Sequence, residues 1–170
     1  MVDYSKLIPQ DIEKIDRNAW LSFMDVTPDA NSMDLAVIGI GITDYGIKYN
    51  PQVDQEKWII ELNARNIHKS NQKQGSATQT AYKGDPVFNF IANGRDKLNY
   101  KTHLVDVDIW DGENGVYPAK MTNGMVTISR WMGENADIEY NLYYNGDPIE
   151  GTVTFDSTTG KPTFTPTVSL

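Results

Sequence analysis

The chain contains no cysteine, which excludes a disulfide framework, a thiolate metal site and a cysteine nucleophile. Histidine is nearly as scarce. His68 and His103 are the only two, and neither stands near a second histidine, a carboxylate pair or a serine motif at catalytic spacing. Long apolar runs are missing too: Leu35 to Ile42 is eight residues with two glycines, where a membrane-spanning helix needs about 20. Basic residues are outnumbered, 15 against 23 acids, for a net charge of −8. That balance disfavours wrapping around nucleic acid, because phosphate binding needs clustered Lys and Arg. The polar, acidic opening MVDYSKLIPQDIEKID predicts no secretory signal. No G-x-S-x-G, H-E-x-x-H or phosphate-cradling loop occurs, and Gly39-Ile-Gly41 lacks the third glycine of a dinucleotide fingerprint. Carboxylates paired for glycoside hydrolysis meet only in three dimensions, so abundant acids alone carry no information. The chain reads as a non-enzyme, with no cofactor.

What is present points to a folded, strand-rich body. Apolar content of 39%, with nine Tyr and four Trp, is that of a globular domain. A length of 170 residues fits one domain, 1–170, with an N-terminal arm over 1–16 in which Leu7, Ile8, Ile12 and Ile15 can form a docking turn. Leu21 and Phe23 alternate with Ser22 and Met24, and Ile38, Ile40 and Ile42 alternate with Gly39 and Gly41. Both patterns predict strands, the second with a close backbone approach or a bulge at its glycines. Further strands are expected over 43–50 and 53–62. Asp85-Pro86 is a helix-start signal, so one helix is placed at about 86–97, either broken near Gly94 or continuing past it. Val105, Val107 and Ile109 alternate with Asp106 and Asp108, predicting one buried and one acidic face. Residues 116–131 alternate less cleanly, with a bulge expected at Gly124. Ile138 to Tyr144 alternate again, Asn145-Gly146 signals a hairpin turn, and 149–155 would return. A turn at 156–160 leads to a last strand near 163–165. The expected architecture is mainly β: an antiparallel β-sandwich or barrel with one flanking α-helix.

The stretch 62–83 stands apart. It holds four basic residues, Arg65, Lys69, Lys73 and Lys83, and no acid, which leaves the other 148 residues at −12. About twenty polar residues without a core pattern exceed an ordinary connection of roughly four to six. Such a loop is either disordered or ordered by something outside its own domain, and the acidic surface available at highest local concentration is another copy of the chain. Arg65, Ile67, Lys69, Lys73, Ala77, Tyr82 and Lys83 are therefore the candidate inter-subunit residues. Removing 64–80 is expected to leave a folded monomer that cannot assemble.

Two other sites compete. Asp106, Asp108, Asp111, Glu113 and Asn114 in DVDIWDGENG approximate an oxygen-ligand calcium loop, but the spacing departs from the helix-flanked motif. A solvated strand face ending in an Asp-Gly turn explains them as well. Trp110, Tyr117, Trp131, Tyr140, Tyr143 and Tyr144 could stack on sugar rings, giving a carbohydrate-binding module as the alternative function. Aromatics equally fill cores and interfaces, and Tyr143 is the one predicted on a polar face.

Residues 79–88, QTAYKGDPVF, resemble the major tail (tail tube) proteins of long, non-contractile-tailed bacteriophages, particularly those of Gram-positive hosts. The order is similar as well: strands ending in WIIEL, a long polar loop, then AYKGDPVF entering the helix. The closing stretch NGDPIEGTVTFDSTTGKPTF resembles the family's final strands, while Asn89 stands where the pattern has an acid. The resemblance implies a β-sandwich flanked by a helix, in subunits forming hexameric rings. Those rings stack into a tube around a tape measure protein and end on tail terminator and distal tail proteins. It implies assembly in the host cytoplasm, a final place in the virion tail, and DNA passing through without specific binding. An acidic lumen would repel phosphates, with Asp106 and Asp108, or Asp137 and Glu139, as the lining candidates.

Overall fold

The structure, a computed structural model, describes residues 12–167. Leu7 and Ile8 of the N-terminal arm lie outside them. Ten strands and one helix follow in order: β1 (Trp20–Asp25), β2 (Leu35–Val37), β3 (Ile47–Lys48), β4 (Pro51–Glu56), β5 (Arg65–Asn71), β6 (Gln74–Thr80), α1 (Pro86–Gly94), β7 (Tyr100–Asp108), β8 (Val116–Arg130), β9 (Asp137–Phe155) and β10 (Pro162–Pro166). Eight strands form one antiparallel sheet in the order β2-β1-β7-β8-β9-β6-β3, with β10 also on β9, while β4 and β5 form a separate two-stranded sheet. Among the described residues the fold is mainly β with a single α-helix, as the sequence predicts.

β8 and β9, of 15 and 19 residues, run through the whole body, and the core divides along them into two clusters. One gathers Met24, Leu104, Val126, Ile138, Tyr140 and Leu142 under helix residues Val87, Phe90 and Ile91. The other gathers Phe23, Leu35, Val105, Val107, Ala119, Val153 and Phe164. Neighbouring residues of β1 and β7 serve opposite clusters because side chains alternate across a strand. Both faces of β7 are therefore covered. Its predicted acidic face is corrected: Asp106 shares a side with buried Leu104.

Asn145-Gly146 does not reverse the chain. β9 passes straight through, pairing Asn145 with Asn123 and Ile149 with Met121. Three residues of β9 thus face one of β8, and Gly146 takes φ +78°. A left-handed glycine serves a bulge as well as a turn. The long β8 offers both halves of β9 a partner, so each buries its face without a reversal. The irregularity expected at Gly124 falls beside Thr122 instead. Gly124 is small because Leu104 lies across it, 2.8 Å from where a Cβ would stand.

The helix begins as read: the Asp85 carboxylate accepts from the Val87 and Phe88 amides, and Pro86 is the first helical residue. It ends at Gly94, the nearer of the two expected ends, where a Cβ would overlap the Tyr100 ring. The strand expected over 38–42 is a turn after the short β2. Gly41 there approaches the Thr80 carbonyl so closely that a Cβ would sit 2.6 Å from it.

Candidate assembly surface

The stretch 62–83 splits in two. Its second half, β6, joins the main sheet by pairing Gln74–Thr80 with β9. Gly75, Ala77 and Gln79 point inward, and Ala77 is 6% exposed within the helix-side core. Gln79 Nε2 donates to the Ile40 carbonyl at 2.9 Å and to Asp85 Oδ2 at 2.5 Å, tying the sheet to the helix cap. Ala77 is therefore corrected from an inter-subunit residue to a core residue. Small and polar side chains disguised an inward alternation. Deleting 64–80 would remove a strand of the main sheet, so the expected folded monomer is corrected as well.

The first half, β5, pairs with β4, and every residue of both strands is exposed. The two strands meet the body at their base, where the Asn50 side-chain amide donates to the Gln72 carbonyl at 3.0 Å. The hairpin 51–71 holds three acids and three bases, so the projecting unit is neutral. Arg65 bonds the Glu61 carboxylate, and Lys69 reaches Asp54 at 3.4 Å. Lys73 sits at the base, 4.9 Å from the Tyr49 ring centroid. The charge segregation read from the sequence is thus answered inside the hairpin, by acids on β4 and the tip. Tyr82 and Lys83 lie past β6, in the turn before the helix.

Missed in the sequence reading is the apolar tip. Trp58, Ile59, Ile60 and Leu62 are all exposed, Ile60 at 85% and Leu62 at 93%. The run KWIIEL resembles a strand end in sequence, and its lack of an apolar/polar alternation is the signal that sets it apart. The turn is held in shape. Glu61 accepts from the Trp58 amide at 3.2 Å, and the Arg65 guanidinium lies 4.0 Å over the Trp58 ring. The result is a pre-shaped apolar knob at the end of a stalk.

The lumen candidates are not four free acids. Asp106 Oδ1 accepts from the Ser22 hydroxyl at 2.5 Å and the Tyr144 hydroxyl at 3.2 Å. Burial pushes its carboxyl up to about 6, against the pull of those hydroxyls and of nearby Lys73. The Tyr45 hydroxyl lies 3.1 Å from that of Tyr144, and burial raises Tyr45 to about 12, so both phenols stay protonated. Asp137 and Glu139 share one guanidinium, Arg130, at 2.6 and 3.0 Å. Asp108 makes no ion pair among the described residues. The two pairs of acids sit at opposite ends of β8: Asp106 is opposite Lys120, and Glu139 opposite Arg130.

Remaining candidates are scattered. His103 Nδ1 lies 2.8 Å from Asp25 Oδ2, a carboxylate 1% exposed that also accepts from the Thr27 and Asp34 amides. That pair organises the loop after β1. Trp110 is 53% exposed in the 3-10 turn after β7, whereas Tyr143 pairs with Met125, itself opposite Lys101. Trp110 is nine positions beyond Lys101, most of them in β7 at about 3.3 Å per residue, so the two aromatics do not make one sugar platform. Among the described residues no group of His, Asp or Glu converges that could hold a metal ion. No helix there is long and apolar enough to cross a membrane. Compared with known proteins, the chain matches no family model, and no curated protein matches it.

Proposed function

We propose that this chain is a structural subunit that assembles with copies of itself into stacked rings, forming the tail tube of a long, non-contractile-tailed bacteriophage. The observation carrying this reading is the β4–β5 hairpin with its exposed Trp58, Ile59, Ile60 and Leu62. A two-stranded hairpin is marginal in water when nothing packs against it. Burying three such aliphatic side chains releases roughly 5–9 kcal/mol before the cost of association. A stalk ending in a fixed apolar knob has a physical reason to persist only when another molecule covers it. The free edges of the hairpin can extend a neighbour's sheet as well. The likeness of AYKGDPVF to tail tube proteins supports phage tail as the setting, in the virion, after assembly in the host cytoplasm. Tape measure, tail terminator and distal tail proteins are then the partners. The chain's net charge of −8 favours passage of DNA without adhesion.

The mechanism differs from simple charge attraction, because the hairpin is neutral and its ion pairs are internal. Negative-stain electron microscopy of concentrated protein is expected to show rings or tubes. A variant with 57–62 replaced by Asn-Gly should keep the cooperative unfolding of the parent while forming no particle. A parent that stays monomeric at every concentration and salt would remove the assembly reading.

A further inference from the structure

We propose that the hairpin tip of one copy seats in an aromatic cleft at the hairpin base of the next copy. This rests on the assembly reading above and assigns its acceptor. The cleft, of about 550 Å³, is walled by Trp20, Tyr45, Tyr49, Arg17 and Lys73, with Ile15 at its lip. Trp20 and Tyr45 stack with ring centroids 6.2 Å apart. Arg17 lies 5.2 Å over Trp20 and donates to the Tyr45 carbonyl at 2.8 Å, so the wall is fixed before any partner arrives. Tyr49 is 52% exposed. Among the described residues neither Arg17 nor Lys73 forms an ion pair.

Three features match the tip to this cleft. The knob is aliphatic and aromatic, and the wall is aromatic, so both bury apolar area. Glu56, beside the tip, is without a charged partner among the described residues and can meet Arg17 or Lys73; Asp16, Asp106 and Asp108 line the same cleft, so this contact orients the tip and apolar burial holds it. Reach excludes the chain's own cleft: β5 is seven residues long, about 20 Å at ~3.3 Å per residue, and Tyr49 and Lys73 stand at its far end. Donor and acceptor therefore occupy different surfaces of one subunit. Where each copy passes its tip to a different neighbour the contact is heterologous and closes into rings or propagates; reciprocal exchange between two copies would stop at a dimer.

The lack of native cysteine gives a clean test. Full-length Ile59→Cys (donor) and Tyr49→Cys (acceptor) chains are mixed and mildly oxidised, with Ile15→Cys, exposed at the lip, as a second acceptor. The expected product is a disulfide heterodimer several-fold more abundant than either chain's homodimer, with both acceptors. Ile59→Cys chains linking chiefly to each other would show tip-to-tip contact and overturn the proposal. A heterodimer that forms only after removal of residues 1–11 would assign the cleft to the chain's own N-terminal segment and overturn it equally. Tubes that assemble without the heterodimer defeat this inference and leave the assembly reading standing; no particle and no cross-link defeats both.

Discussion

β5 and β6 come from one polar, basic stretch and meet opposite fates. In β6 the inward positions are Gly75, Ala77 and Gln79, small or amide side chains that fit beneath the helix and against β9. In β5 the residues are RNIHKSN, with a single large apolar side chain, and the strand finds only β4. Both strands are polar with little large apolar surface, but β5 carries Arg65, His68 and Lys69 while β6 is uncharged and built of small, hydroxyl and amide side chains. What also differs is which residues fall at alternate positions and whether a partner edge is within reach. Low hydrophobicity therefore does not mark a segment as peripheral. A small residue in register with a core edge is buried, and a polar strand without an edge becomes a stalk.

The comparison is broken most severely by a charge in β6. Ala77→Asp places an uncompensated carboxylate where the side chain is 6% exposed, and is expected to cost about 4 kcal/mol or more. Urea denaturation should show most of the protein unfolded in buffer; retention of parent stability would mean that β6 is not core. Next in size is Asp85→Ala. It removes the acceptor for two helix amides and one of the two bonds held by Gln79 Nε2. A cap and a buried hydrogen bond together are worth about 2 kcal/mol. The midpoint should fall with an unchanged slope, and an unshifted midpoint would discount the sheet-to-helix tie.

Much of the body was legible because its signals were local and redundant. Strand alternation in β1, β7 and β9, the Asp85-Pro86 cap and the 156–160 turn each specify their own structure. The failures share one cause: a local signal with two physical outcomes, decided by distant partners. Asn145-Gly146 suits a hairpin or a bulge, and the long β8 selects the bulge. Asp106 reads as solvent-facing by alternation, but Tyr45 and Tyr144 arrive from other elements to cover it. The tip KWIIEL looks like a strand until its partner is sought. Charge counting misled most. The boundary at 62 left out Asp54, Glu56 and Glu61, the acids that neutralise the hairpin.

Asp106 offers a pH test of the covered face. Its folded-state pKa is raised from 3.8 to about 6, first by desolvation. The folded state therefore holds a proton that the unfolded chain has released. The stability this contributes is complete below about pH 3.8 and is lost as pH rises through about 6. Asparagine stays neutral throughout and can still accept from Ser22 and Tyr144. Asp106→Asn should thus stabilise by up to about 2 kcal/mol at pH 7.5 and by nothing measurable at pH 3.5. Denaturation at both pH values checks the sign, and equal effects at the two would show that the carboxyl is freely solvated.

The smallest expected effect decides between charge and apolar contact as the force on the hairpin. Lys69 and Asp54 are both exposed, and their 3.4 Å pair is of the kind worth at most about 0.5 kcal/mol on a surface. Lys69→Ala should leave the denaturation midpoint unchanged within error. If assembly depended on a basic arm meeting an acidic body, the same change would cut it sharply, and salt would dissolve the particles of the parent chain. If the knob at Ile59, Ile60 and Leu62 supplies the contact, Lys69→Ala particles should form at the parent's concentration. Added salt should then strengthen association slightly, as it does for apolar burial. Light scattering against ammonium sulfate and sodium chloride, parent beside variant, separates the two: dispersal of the parent by moderate sodium chloride would restore charge as the driving force.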